Sequence, residues 1–422
     1  MFDDDIKLHK VTGKEGDTFV GMRIRNGCVH IFHPESYPLD KSEDSFYNDI
    51  LSLFRTFARY NKATYEDEIN NVVSKGISVK AFKSYIWLIK DYIVNGIPEE
   101  KRQEYKTNGN GKINWKKTIS NIDPIISDGT VVYPSYITNK IRRVDGEYAK
   151  VYRYCLKTSL GYFGWLFNIK NCPIISIDST FNHKKSINFV KRRLFTTFSD
   201  IDKIRLMHLL KILEGCDSSD STGQVEFGVN EYYPIFESMV DYYFGNVDNI
   251  ADFYPGATWH LKKQNFEPLR CNPLRPDTVM IDGEMAYIID SKFYRYGSTA
   301  QSSQLPDITS IQKQITYGDF VKNNNMRGVK KVFNIFLIPY DRTASNYYGT
   351  QLFESEDALQ FVGYADTDWR DGSLAHEKIL TFLIDLKYLV KRCNQGVKGA
   401  DSKWLMQLAQ DAELKIRDLE SN

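Results

Sequence analysis

The run Leu274-Arg-Pro-Asp277-Thr-Val-Met-Ile-Asp-Gly283-Glu-Met-Ala-Tyr-Ile-Ile-Asp290-Ser-Lys292 sets two short apolar segments on either side of Asp282-Gly283-Glu284. Strand-forming residues flanking a glycine-bearing turn predict a β-hairpin. With Gly283 at the first position of a two-residue type II′ turn, Asp282 pairs with Met285, and counting outward sets Asp277 opposite Asp290. Lys292, two residues beyond Asp290, shares its sheet face because side chains alternate along a strand. The hairpin is therefore expected to gather two carboxylates and one ammonium in one place. A slip of one residue in register would separate them.

Two carboxylates at cross-strand distance repel, and one of them resists ionisation unless a hard divalent cation lies between them. Such a cation polarises a phosphodiester and lowers the pKa of a bound water. A neighbouring lysine can orient that water or stabilise a pentavalent phosphorane. Pro276-Asp277 followed by Asp290-Ser291-Lys292 resembles the PD-(D/E)XK nuclease pattern, with Ser291 at its variable position. The bare pattern is not rare, arising by chance in roughly one 400-residue chain in seven. Its plain alternative is a strand-borne Asp–Lys pair on a wet sheet face.

The neighbours of the hairpin add weight as an ordered set. A helix predicted over 231–244 puts Tyr233, Val240 and Phe244 on an apolar stripe with Glu237 inside it, a costly place for a carboxylate without a partner or metal. Gln314 and Tyr317 share a helical face at i, i+3. Val332–Ile338 is apolar at every position but Asn334 and reads as a buried central strand. A further strand is expected over 253–261, where His260 beside Trp259 reads as a packed boundary residue. The sequence thus predicts an α/β nuclease core of αβββαβ order, a mixed central sheet flanked by helices.

Upstream, segments 18–25 and 28–32 have strand composition around the Asn26-Gly27 turn, and 44–62 and 79–95 carry apolar residues such as Phe46, Ile50, Leu53 and Phe57 at helical spacing. An α+β N-terminal region follows from this mixture. The Asn/Gly-rich break at 107–112 reads as a loop or domain edge. It is not a nucleotide-binding P-loop, because Ile113 follows Gly111-Lys112 and no glycine stands five residues before Gly111.

At 422 residues the chain has room for two or three domains, and 42% apolar with 26% charged residues is ordinary for a globular protein. The net charge of +1 hides a local excess. Between Lys140 and Arg193 stand 12 Lys/Arg against Asp145, Glu147 and Asp178, a local +9 that leaves −8 for the remainder. Lys140, Arg142, Arg143, Lys184, Lys185, Lys191, Arg192 and Arg193 alternate with Tyr148, Tyr152, Tyr154, Phe181 and Phe189, which suits a surface that tracks DNA phosphates and stacks bases. A solvated face is the bland alternative. Aromatic content is high at 14%, and core packing is the safer reading of the rings near the hairpin. Residues 216–223 read as a linker. The six cysteines show no CxxC spacing, the first residues are acidic where a signal peptide is basic, and no apolar run is long enough to span a bilayer. A cytoplasmic protein without a membrane partner is expected.

Taken in order, Gly111–Ile119, Phe227–Glu237, Trp259-His-Leu, Leu274–Asp277, Asp290–Tyr294, Lys313–Tyr317 and Glu377–Lys387 resemble the LlaJI-type restriction endonuclease family, with its McrC-like nuclease subunits. The likeness covers roughly residues 80–390. It implies a Mg²⁺-dependent (or Mn²⁺-dependent) endonuclease acting on double-stranded foreign DNA, commonly beside a separate McrB-like AAA+ GTPase. Asp277 and Asp290 would hold the metal, with the Ser291 carbonyl as a candidate third ligand. Lys292 would assist the water, and Glu237 and Gln314 would support the site. The expected division is an N-terminal interaction region at 1–138, a basic connecting region at 139–218 and a nuclease domain at 219–422. A homodimer, a stand-alone type II endonuclease and a non-catalytic DNA-binding or scaffold subunit stay open as alternatives.

Overall fold

The computed structural model describes residues 6–25, 28–40, 42–60, 72–75, 81–144, 146–167, 181–215, 225–324, 326–343, 358–398 and 402–421. It divides into two compact units, Met1–Val79 with Ser219–Asn422, and Lys80–Ser218. The expected boundary at 138/139 falls instead inside a strand of the second unit, and the first 79 residues group with the C-terminal half. The expected 216–223 linker lies outside the described residues.

The reason for that grouping is non-local strand pairing. In the first unit, β1 (Ile6–Val11), β2 (Val20–Arg25), β3 (Cys28–Pro34), β4 (Val72–Lys75) and β5 (Val225–Val229) form a sheet of order β1-β3-β2-β5-β4. The strands β2 and β3 pair antiparallel with Arg25 opposite Cys28, the register a two-residue turn implies, although Asn26-Gly27 itself lies outside the described residues. Val20 pairs with Val229 and Gly21 with Gly228. These strands approach so closely that a Cβ on Gly21 would lie 2.2 Å from the Phe227 carbonyl oxygen, so glycine is required there. Helix α1 (Glu43–Tyr60) buries Phe46, Ile50, Leu53 and Phe57 as its spacing predicts, and Phe54 and Phe57 pack their rings on Phe227.

The second sheet of this unit carries the hairpin. Its order is β8-β9-β10-β12-β11, from β8 (Thr278–Asp282), β9 (Met285–Ser291), β10 (Lys331–Tyr340), β11 (Leu359–Ala365) and β12 (Ile379–Asp385). The strands β9, β10 and β12 are parallel, and β10 is buried from Val332 to Tyr340, as expected for a central strand covered on both faces. Two helices matter here, α2 (Tyr233–Phe244) and α3 (Ile308–Asn323), the latter N-capped by Asp307, which accepts from the Ser310 backbone N–H at 2.9 Å. Tyr317 and Val321 of α3 pack with Val279, Ala286, Ile288 and Val332 in one apolar cluster. The exposed edge of β8 is blunted by Asn246, whose side chain donates to the Ile281 carbonyl at 2.8 Å and accepts from its N–H at 2.9 Å.

The strand expected at 253–261 does not join this sheet. Only β6 (Thr258–His260) forms, and it pairs with β7 (Pro268–Arg270) in a separate two-stranded ribbon. His260 is exposed there, not packed at a boundary.

The second unit joins helices Phe82–Asn95, Glu147–Phe163, His183–Thr196 and Asp200–Gly215 to a small sheet of strands Glu100–Thr107, Lys112–Ile113 and Ile137–Val144. The break at 107–112 is thus a tight connection within a sheet rather than a domain edge. Asp91, on the first of these helices, is buried and receives the Arg205 guanidinium at 2.8 and 2.9 Å and the Tyr152 hydroxyl at 2.9 Å. Much of the aromatic excess is core in both units, including Tyr37, Tyr85, Tyr152, Tyr243, Tyr287, Tyr317 and Tyr340. Among the described residues, no helix is long and apolar enough to cross a membrane.

Candidate active site

The hairpin register is the one the turn dictates. Thr278 pairs with Ile289 and Asp282 with Met285, while Gly283 takes φ +55° at the turn. One step beyond Thr278, Asp277 reaches across to accept the Ser291 backbone N–H at 2.8 Å. Lys292 Nζ lies 2.6 Å from Asp290 Oδ2, with both side chains largely buried. The strand is fixed here from its parallel neighbour, as Asp290 pairs with Phe336 and the Lys292 N–H donates to the Leu337 carbonyl at 2.9 Å.

Glu237 projects from the half-buried flank of α2. It does not share a stripe with Tyr233, which is exposed; the buried face runs through Phe236, Val240, Tyr243 and Phe244. Its charge nevertheless reaches the hairpin. Crowding by protein atoms, then the charges of Asp290 and Glu237, push the Asp277 carboxyl well above its ordinary value, against the opposing pull of the Ser291 N–H and the Lys292 ammonium. Lys292 is drawn two ways: burial disfavours its charge, but Asp290 beside it outweighs burial and raises its pKa.

Gln314 is fully buried on α3 and donates from Nε2 to the Ile288 carbonyl at 2.6 Å, bracing the strand that carries Asp290. Its Oε1 finds no hydrogen-bond partner among the described residues. Tyr317, one turn on, donates to the Arg275 carbonyl at 2.9 Å and so fixes the backbone leading into Pro276-Asp277. Ion pairing between Arg295 and Glu35 at 3.0 Å restrains the segment after Lys292. Sequence reading missed that pair, and no local signal could reveal partners so far apart in the chain.

Among the described residues, no group of three or more His, Cys, Asp or Glu is placed to hold a metal ion. The local chemistry still suits a hard cation. Asp277 and Asp290 offer oxygen donors, and burial together with the nearby charges of Asp290 and Glu237 disfavours a bare Asp277 carboxylate that a cation would favour. A carboxyl with a raised folded-state pKa makes the protein less stable as pH climbs from the ordinary carboxylate value, about 4, toward that raised value. Asp277→Asn in chelator is therefore expected to remove this slope and raise the neutral-pH Tm by roughly 2–4 °C. Added Mg²⁺ should stabilise the wild type and not this variant, as followed by thermal unfolding across pH 4–8. An unchanged slope would refute the raised Asp277 pKa.

The basic residues lie in the second unit. Lys140 and Arg142 are exposed on strand Ile137–Val144, with Arg142 3.4 Å from Glu104; Arg143 stands between them and Val144 on the same strand. Lys184, Lys185, Lys191 and Arg192 are exposed on helix His183–Thr196, although Lys191 pairs with Glu214 at 2.9 Å. Arg193 is engaged internally, ion-paired to Glu100 and lying 4.6 Å above the Tyr148 ring. The interleaved aromatics are mostly packing groups, since Tyr148 and Tyr152 are buried and Tyr154 stacks on Phe181 at 4.0 Å.

Three likenesses to known proteins bear on this arrangement. The model of a family described as LlaJI restriction endonuclease matches residues 19–365. The YdjA component of the type II restriction enzyme BsuMI from Bacillus subtilis (strain 168) is 23% identical over 355 residues, covering 78% of this chain and 73% of that protein. A chain from the assembly of Thermococcus gammatolerans McrB AAA+ hexamers with bound McrC is similar at 12% identity and a TM-score of 0.36, over 89% of this chain and 82% of that one.

Proposed function

Since the chain belongs to the LlaJI restriction endonuclease family, we propose that it is a metal-dependent DNA endonuclease subunit with Asp277, Asp290 and Lys292 at its reacting centre. The observation that carries this reading is the hairpin register, which sets Asp277 against the Ser291 N–H and Lys292 Nζ 2.6 Å from Asp290. The succession of α2, hairpin, α3 and parallel β10 supports a PD-(D/E)XK core. Asp277, Asp290 and the Ser291 carbonyl would hold Mg²⁺ or Mn²⁺. When bound, such a cation supplies Lewis-acid polarisation of the phosphodiester and offsets charge on its oxygens.

The chain's own groups do the rest. Lys292, kept protonated by Asp290, donates toward the attacking water or the crowded phosphorus oxygens. Glu237 adds negative charge beside Asp277 and can accept a proton from the water that Lys292 orients. Gln314 and Tyr317 hold the two strands in place through backbone carbonyls. Lys140, Arg142, Arg143, Lys184, Lys185, Lys191 and Arg192 would meet DNA phosphates, while Arg193 would serve the internal structure.

A division of labour with a separate McrB-like AAA+ GTPase is part of the proposal. Its support is the family resemblance, the Ile113 that breaks the P-loop pattern after Gly111-Lys112, and the description of the Bacillus relative as one component of a restriction enzyme. The test is supercoiled plasmid incubated with the chain and Mg²⁺, with and without the AAA+ GTPase encoded nearest to it. Nicking or linearisation that chelator abolishes is expected in at least one arm. Intact plasmid in both arms, across a range of target sequences, would overturn the assignment.

A further inference from the structure

The ribbon β6–β7 has no part in the sheet that bears the catalytic hairpin, yet it leads directly into it. Every residue from Gly256 to Arg270 is exposed, so the ribbon stands clear of the unit's core. Trp259 pairs with Leu269 across the two strands, which puts an uncovered apolar face on one side. Thr258 with Arg270, and His260 with Pro268, make the other face polar and basic. At the tip stand Lys262, Lys263 and Phe266. Among the described residues neither lysine nor Arg270 is ion-paired, and Glu267 is the one acid between Gly256 and Arg270.

Phe266 is the unusual residue. It takes φ +61° immediately after Asn265 at φ +52°, a conformation that disfavours a bulky side chain, and its ring is 60% exposed. The Phe266 N–H donates to the Leu261 carbonyl at 3.0 Å, and its own carbonyl accepts from or faces His260 Nδ1 at 3.2 Å. The backbone is thus pinned in a strained turn that directs an aromatic ring away from the protein.

We infer that this ribbon is a duplex-DNA-binding element that seats Phe266 and Trp259 against base steps and Lys262, Lys263 and Arg270 against flanking phosphates. The inference rests on the nuclease reading of Asp277, Asp290 and Lys292 and supplies it with a substrate contact. Three arguments favour DNA as the occupant. The exposed charge is complementary to phosphate. Two-stranded ribbons enter DNA grooves, and apolar side chains inserted from the minor groove are usual wedges between base steps. The ribbon is also rooted at the site: Cys271 N–H donates to Ala257 O at 2.8 Å, Leu274 N–H to Pro255 O at 2.9 Å, and Tyr317 to Arg275 O at 2.9 Å. The seven-residue step from Arg270 to Asp277 spans no more than about 25 Å, less than one turn of duplex at about 34 Å.

The test is fluorescence anisotropy of a fluorescein-labelled duplex with the full chain in Ca²⁺, comparing wild type with Trp259→Ala/Phe266→Ala, Lys262→Ala/Lys263→Ala and Asp290→Ala. The aromatic double variant should bind roughly tenfold more weakly. The lysine double variant should flatten the slope of log affinity against log salt by about 2. The substituted ribbon positions are exposed and lie outside the core, and circular dichroism checks the fold. Wild-type affinity and salt slope in both double variants would overturn the inference. The two readings fail separately. Full cleavage by Asp290→Ala sinks the nuclease centre, whereas normal binding by the ribbon variants beside an inactive Asp290→Ala sinks the ribbon alone.

Discussion

Lys292→Ala is expected to slow metal-dependent DNA cleavage by roughly a thousandfold while leaving duplex affinity nearly unchanged. The ammonium sits 2.6 Å from Asp290, in a largely buried setting where a single charge acts strongly. Its removal has two effects. In the proposed mechanism the transition state loses a donor aimed at the reacting centre, and Asp277 loses a cation that favours its ionised form. The residual activity should therefore shift its pH dependence upward, because the Asp277 carboxyl ionises later without Lys292. Lys292→Arg should restore charge but not full rate, since a planar guanidinium cannot occupy the space of a compact ammonium. Single-turnover cleavage across pH measures both effects. Wild-type rates for Lys292→Ala would leave the Asp–Lys pair with a purely structural role.

Asp91→Ala should be the most damaging substitution in the second unit, lowering its stability by about 3–5 kcal/mol. Arg205 is 11% and Asp91 3% exposed at the side chain, so truncating Asp91 leaves the buried guanidinium, among the described residues, with only its Asp202 ion pair at 3.0 Å and takes the acceptor from the Tyr152 hydroxyl. Burial pushes the Asp91 carboxyl upward, but hydrogen bonds from Arg205, Asn95 and Tyr152 outweigh it and hold the pKa below the ordinary value. A depressed carboxylate stabilises the fold above its unfolded pKa, and that contribution disappears as pH falls through the folded value. The loss on mutation should accordingly be largest near neutrality and shrink in acid. Replacing both partners, as Asp91→Leu/Arg205→Leu, should recover much of the stability. Denaturant unfolding of the three proteins at two pH values decides this, and an unchanged midpoint for Asp91→Ala would contradict it.

The parts of the fold that were legible in the sequence are those fixed by short-range rules. A glycine turn and strict alternation set the Asp277–Asp290 register, and an apolar run interrupted only by Asn334 marked β10 as central. The helix bearing Glu237 was also legible, but not its rotation. Tyr233 at its first turn points to solvent, because an apolar-looking tyrosine at helical spacing need not be core. What could not be read locally were pairings across long stretches of chain. Val20 meets Val229, which draws the first 79 residues to the C-terminal half and leaves Lys80–Ser218 as an insertion. Arg193 likewise finds Glu100, so a residue that looked free for DNA is engaged within its own unit. The segment 253–261 misled for a different reason: Trp259 and Leu261 suggest a core strand, yet both are exposed on the ribbon.

The most direct measurement is plasmid cleavage by wild type and Asp290→Ala under identical Mg²⁺, in the presence of the AAA+ partner if wild type requires it. Asp290 is buried at the end of β9, holds Lys292 and faces Asp277, so every role proposed for the hairpin passes through it. The account predicts chelator-sensitive cleavage by the wild type and at least a roughly thousandfold loss in the variant, with folding and duplex binding retained. Equal cleavage by the two proteins would contradict it.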